Sequence, residues 1–485
     1  MTILPLNPAE NASPEALRSF LQQCQAAALR AGHPQLVSIS LAVDALDPLA
    51  VLESIFEPAE PHFYAERPSS GTALAGAEVA TQFSASGPRR FAGVQAWIEG
   101  TLANTIAVGD VAAPFGGPHF FGAFTFADAE DGSGMTPATV FVPRWQVSRS
   151  GDVTTAVANL MVTPDADLSP LTERVWRAHG KFRRFEYGMS DTGALPVGLE
   201  EAKVEGRDAR ATTESLQFRE VGDFRAAVAK ALERISRGDL RKIVLARAQD
   251  VVSETPFHPL EMLNGLRQRF PDCHAFSHSA GRGVSFIGAT PERLVKVSGG
   301  VLETEALAGS IRRGATASED AALASALLRS EKDVREQRQV LEDIVARLAP
   351  LGVAPEFSAQ PQVRRLANVQ HLQTPIRAQL PEGVRVLDVV AAMHPTPAVG
   401  GNPRAVAVPL IRELEGFPRG LYAGAIGWLD ARGGGEFFVG IRSALVEGSH
   451  ARVFAGAGVV SGSTPDKEFA ETELKFGAVL GALLP

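Results

Sequence analysis

The 485-residue chain carries only two cysteines, Cys24 and Cys273. Two thiols cannot build a disulfide framework, and their spacing fits no metal-ligand pattern. A reducing, cytoplasmic setting is therefore expected. No basic block stands out and the formal net charge is −8. That excludes the electrostatic footprint of a nucleic-acid binder or of a protein held on an anionic membrane surface. No segment approaches the roughly 18 uninterrupted apolar residues of a transmembrane helix. The first residues have neither a basic n-region nor an apolar h-region, so no signal peptide is expected. There is no fixed-period repeat and no low-complexity stretch. What is present is an ordinary globular composition, 45% hydrophobic and 21% charged, in a chain long enough for a large core.

Periodicity predicts a helix over residues 14–32, opened by Pro14 and closed by Gly32. A strand follows at 36–44, then a proline-rich loop. Residues 61–83 read as two strands joined by a turn at Ser69-Ser70-Gly71, and 119–128 as a half-buried strand. Residues 138–162 read as a hairpin turning at Ser150-Gly151-Asp152. The polar stretch 190–215 loses periodicity and reads as a linker or a loop. Helices are expected at 221–239 and 258–270, strands at 241–252 and 283–290, and a long, breakable helical region at 318–350. Irregular alternation of helices and strands favours α+β over a regular βαβ fold.

The C-terminal stretch 452–480 reads as a strand, a glycine turn through Gly456 and Gly458, and a helix opening at Pro465. On that helix Glu468 and Glu471 stand at i and i+3, with Lys475 four residues after Glu471, so all three share a face. Asp333 and Glu336 repeat the carboxylate pair on another helix. Two such pairs suit a hard cation, though each pair alone reads equally as a charged helix face. Lys242 stands inside an apolar strand, either facing outward or as a base in a cleft. Glu292 follows Pro291 at a strand end, as a turn acid or a general acid. Gly309 and Ser310 are expected in a turn, read either as a plain tight turn or as one whose N–H groups meet an anion. His371 and Arg442 are isolated in apolar runs, and a carboxylate suits the arginine fork.

Taken together these segments resemble the chorismate-utilising enzymes, specifically isochorismate synthases of menaquinone and siderophore pathways. The motifs are RKIVLAR, IGATPERL, LAGS, SEKDVREQ, VQHL, HPTPAVGG, YAGAIG, FVGIRSA and AGAGVVSGSTPDKEFAETELK, in the family's order over residues 240–480. The resemblance implies an α+β fold of two packed antiparallel sheets, surrounded by helices, with the active site in a cleft. Residues 1–205 are then a β-rich part of the same structural unit, and 206–485 the chorismate-binding region.

The resemblance also implies roles. Lys242 matches the base that activates water for attack at C2 of chorismate, and Glu292 the acid that protonates the departing C4 hydroxyl. Glu336 and Glu471 match Mg²⁺ ligands, with Asp333 and Glu468 as neighbouring acids. Gly309 and Ser310 match the site for the ring carboxylate. Tyr422, Arg442 and Gly456 match the pocket for the enolpyruvyl carboxylate. Ala398 and Val399 match substrate-binding positions, Lys475 a lysine near the metal ligands and His371 a residue facing the ring.

Two positions separate this chain from relatives. Gln337 stands where many have histidine. Ala308-Gly309-Ser310 stands where aminating and salicylate-forming relatives often have Ala-Gly-Thr, which favours water as nucleophile, as does Lys242. No glutamine amidotransferase region is seen, so no amidotransferase subunit is expected, and a monomer or weak homodimer is. Isochorismate synthase is the expected activity. Salicylate synthase, which goes on to eliminate pyruvate, is the alternative that the apolar Val399 keeps open. A catalytically silent homologue is a third reading.

Overall fold

The computed structural model describes residues 1–4, 13–176, 216–366 and 369–483; the expected linker at 190–215 lies outside them. The expected first helix runs Pro14–Ala31, capped by the Ser13 hydroxyl and closed by Gly32 at φ +72°. The expected proline-rich loop instead contains a helix, Pro48–Ser54, because Asp47 accepts from the Leu49 N–H and Pro48 occupies the first turn. A further helix, Arg90–Ala103, lies in the same β-rich part.

The strands form one continuous, mostly antiparallel network that forks at the long strand Ala138–Ser150. One arm passes through Thr72–Ala85, Pro61–Arg67, His274–Ala280, Val284–Thr290, Ser443–Glu447 and His450–Val460 to Lys242–Val252. The other passes through His119–Phe124, Ala425–Asp430, Gly435–Val439, Arg293–Ser298 and Val301–Arg312 to Val369–Gln379. These arms are the expected two antiparallel sheets. One core lies between them. Phe63 stacks on Phe121 at 4.5 Å and Phe276 meets Phe438 at 5.2 Å, each contact joining the two arms. The strand His119–Phe124, expected to be half-buried, is buried at every residue because strands flank both its edges and the core encloses it.

A buried ion pair locks the Lys242 strand to a neighbouring turn. Glu415 ends the helix Arg404–Glu415, and Arg419 meets it through two hydrogen bonds of 2.6 and 2.9 Å. Their side chains are 1% and 3% exposed. Arg419 also donates to the carbonyls of Val244 (2.8 Å) and Val399 (2.9 Å), while Glu415 accepts from the Ala246 N–H at 2.6 Å. Removing one partner strands the other charge away from water. Arg419→Met is therefore expected to cost about 3–5 kcal/mol, read from the urea unfolding curve.

Candidate active site

The chain crosses between the two arms at neighbouring places. Glu292 lies in the first crossing, between Val284–Thr290 and Arg293–Ser298, and Arg442 in the second, between Gly435–Val439 and Ser443–Glu447. The crossings bind each other: the Val439 N–H donates to the Glu292 carbonyl at 3.0 Å, and the Ala289 N–H to the Arg442 carbonyl at 3.1 Å. Arg442 sits at φ +50°, a left-handed conformation that costs a non-glycine residue about 1–2 kcal/mol. Among the described residues its guanidinium has no hydrogen-bond or salt-bridge partner, and burial works against its charge.

Glu292 opens onto the cleft at one edge yet lies deep enough that burial pushes its carboxyl up to about 7. The Thr396 hydroxyl donates to it at 3.3 Å, and the charges of Lys242 and Lys475 reach it in the opposing sense. Thr396 starts the turn that carries Ala398 and the buried Val399, whose carbonyl Arg419 holds.

Lys242 is the first residue of its strand, with a side chain 15% exposed. Its Nζ donates to Glu336 Oε1 at 2.9 Å. The expected glycine turn at Gly456 and Gly458 is instead part of one unbroken strand, His450–Val460, paired along its length with Lys242–Val252. The turn comes after Val460. The two glycines serve by absence: a Cβ on Gly456 would stand 2.7 Å from the Tyr422 hydroxyl, and one on Gly458 3.2 Å from Lys242 Cε. Tyr422 is buried and stacks on Phe454 with centroids 5.0 Å apart.

Lys475, on the helix Pro465–Leu483, donates to the Gly456 carbonyl and to Glu471 Oε1, both at 2.7 Å. Burial, and after it the charge of Glu471, holds the Glu468 carboxyl above its ordinary value, while the Ser463 hydroxyl bonded to it opposes them. Asp333 is in the first turn of the helix Glu331–Leu348 and takes part in capping it with Ser330. Gln337, on the same helix, is buried and donates to Thr374 Oγ1 at 2.7 Å.

Gly309 and Ser310 are not in a turn. They lie within the strand Val301–Arg312, where the pairing steps from Ala308↔Leu372 to Ser310↔His371 across a bulge. Gly309 takes φ +73°, and a Cβ there would press on Asp333 at 3.1 Å. Ser310 Oγ and His371 Nδ1 are 2.7 Å apart. Burial, then the charge of Arg442, pushes the His371 imidazole down to about 3, so it is neutral, and its Nε2 is buried with no partner.

Glu292, Lys242, His371 and Arg442 thus come into one neighbourhood: the charges of Lys242 and Lys475 reach Glu292, and those of Arg442 and Lys475 reach His371. The four further acids are brought to the same region but not into one tight set. Among the described residues the single group of three closely spaced ligand atoms is Glu53, His258 and Glu261, at the surface. Glu336 and Glu471 instead each face a lysine. Their oxygen-only donor set, drawn from two helices, suits a hard divalent cation. Sequence reasoning missed Thr396 and Arg419. The i, i+4 spacing of Glu415 and Arg419 was the available signal for one of them.

The chain matches the family described as chorismate binding enzyme over residues 19–484. It is 34% identical to the salicylate biosynthesis isochorismate synthase of Pseudomonas aeruginosa, over 96% of this chain and 94% of that protein. It is also 34% identical to isochorismate synthase MenF of Bacillus subtilis, over 76% of this chain and 75% of that one. The solved structure of MenF, the menaquinone-specific isochorismate synthase from Escherichia coli, matches with a TM-score of 0.73 at 25% identity, covering 96% of this chain and 99% of that one. Anthranilate synthase component I from Streptococcus pneumoniae shares the fold, with a TM-score of 0.65 at 21% identity over 85% of this chain and 93% of that one. With two packed antiparallel arms and a match that spans nearly its whole length, the chain belongs to the chorismate binding enzyme family, as a chorismate-utilising enzyme similar to isochorismate synthases.

Proposed function

We propose that the protein is an isochorismate synthase, converting chorismate reversibly to isochorismate. The observation that carries this reading is a buried carboxylic acid within reach of a lysine's charge, with burial pushing the Glu292 carboxyl up to about 7. Exchange of a hydroxyl across the ring needs both. Lys242 takes a proton from water as its oxygen bonds to C2. The ring double bonds shift, and Glu292 gives its proton to the C4 hydroxyl, which leaves as water. For Nζ to accept a proton it must be the neutral amine, whose lone pair stays free even while one of its N–H bonds donates to Glu336. Glu292 near neutrality holds the proton that it has to deliver.

Chorismate is a dianion, and this chain is acidic. Arg442, with no partner among the described residues, is the fork for the enolpyruvyl carboxylate, beside Tyr422 and the open space at Gly456. The bulge at Gly309 and Ser310 receives the ring carboxylate, with neutral His371 against the ring. Glu336 and Glu471, with Asp333 and Glu468 alongside, would hold Mg²⁺, which would supply positive charge to orient the carboxylate. Residues 1–205 and 206–485 act as two regions of one structural unit, a reading supported by strand pairing between them.

The test is incubation of the purified protein with chorismate and Mg²⁺, with products separated by chromatography. Isochorismate is expected; salicylate and pyruvate as main products would replace this reading with salicylate synthase. Lys242→Ala and Glu292→Gln are each expected to lower turnover by at least ~10²-fold with the circular dichroism spectrum unchanged; near-parental rates in either would remove that residue from its role. The pH prediction follows from Glu292. Its folded value, about 7, lies above the ordinary 4.5, so the folded state holds the extra proton and stability falls as pH rises through that window. Glu292→Gln is expected to abolish this loss, worth up to about 3 kcal/mol, in urea midpoints compared at pH 5 and pH 8.

A further inference from the structure

A second cleft, of ≈ 760 Å³, lies outside the site described above, with Arg90, Phe91, Phe126, Arg404, Val408 and Phe417 among its walls. Two helices begin at it, Arg90–Ala103 and Arg404–Glu415. Neither N-terminus is capped by a side chain. Uncapped N–H groups and the positive ends of both dipoles therefore lie at the cleft. In each helix the first residue is an arginine, the charge that such an end disfavours. Arg90 is 4% exposed. Its Nη2 donates to the Thr125 carbonyl at 3.1 Å, but its Nε is buried with no hydrogen-bond partner. Arg404 adds repulsion to the cost of burial, and the one acid whose charge reaches both arginines, Asp128, is exposed. With Glu415 and Arg419 paired to each other, the walls set Arg90, Arg404 and Arg412 against Asp128 and Asp131, so a buried guanidinium without a bonded carboxylate sits where positive charge exceeds negative.

We propose that this cleft binds an organic carboxylate with a flat apolar ring, its charge held by Arg90, Arg404 and the two helix N-termini. Phe91, Phe126 and Phe417 supply the apolar wall, which an inorganic anion does not need. The cleft also adjoins the catalytic framework. Pro395 lines it and precedes Thr396, the donor to Glu292; Arg419 lines it and holds Val244 and Val399. Occupancy is therefore expected to change turnover. That part rests on the proposed activity, whereas binding itself does not.

Benzoate is the probe, titrated calorimetrically into the full-length chain. Saturable binding is expected, weakened at least about tenfold, or 1.4 kcal/mol, by Arg404→Gln. This side chain is exposed, so the variant is expected to fold and to turn over chorismate normally without benzoate. Lys242→Ala is expected to leave benzoate binding intact. Absence of saturable binding would overturn the proposal. So would binding that survives Arg404→Gln and is lost in Lys242→Ala, which places benzoate in the catalytic cleft. Inorganic phosphate binding as tightly as benzoate would overturn the assignment to an organic acid. A parent chain inactive on chorismate would refute the proposed function and leave the calorimetry standing.

Discussion

Two opposite charges buried at the end of one helix hold the working parts of this protein together. Burying Glu415 and Arg419 costs desolvation that an incomplete pair could not recover. Here the carboxylate takes two guanidinium bonds and a backbone N–H, and the guanidinium takes the carboxylate and two carbonyls. The bonds run to Val244 and Ala246 on one side and to Val399 on the other. They fix the strand that begins at Lys242 against the turn that begins at Thr396. The positions of the proposed base and of the donor to the proposed acid are therefore set by one pair that touches neither.

Within the cleft the electrostatics work by partial compensation. Lys242 and Lys475 are each matched to one glutamate. His371 is kept neutral, Glu292 is kept near the point of sharing its proton, and Arg442 has no partner among the described residues. Arg442 and Glu292 occupy two neighbouring links between sheet arms, where backbone geometry is set by the need to change layers rather than by a ladder. Side chains on such links are free of the alternation that strands impose, which suits residues that must point into the space between layers.

The sequence made the chemical residues legible, because Lys242 in an apolar strand, Glu292 after Pro291 and Arg442 in FVGIRSA are polar where their surroundings are not. Most elements were legible too, from capped helices to the Ser150–Asp152 hairpin. What escaped was anything decided by a distant neighbour. Gly456 and Gly458 read as a turn because glycine has that local meaning. They lie in a strand because Tyr422 and Lys242, remote in sequence, need the room. The helix Arg90–Ala103 lacks a side-chain cap, so its start carries no local signal. The proline-rich stretch reads as a loop because proline has that local meaning, yet Asp47 as a cap makes Pro48 a first-turn residue. Thr396 stands inside the HPTPAVGG motif, but nothing local singles out its hydroxyl; its role comes from the fold bringing it to Glu292.

The bulge at Gly309 has a consequence for what this strand tolerates. Side chains alternate between faces with a period of two, and one extra residue shifts that phase. Residues 301–308 and 310–312 are thus two separate reading frames joined at a single glycine. Ser310 meets His371 only because the count is reset there. Losing one residue anywhere between 301 and 309 would slide Thr304, Ala306 and Leu302 off the core face, or carry Ser310 away from His371. Point substitutions are judged here by size and charge, whereas a change in length is judged by parity.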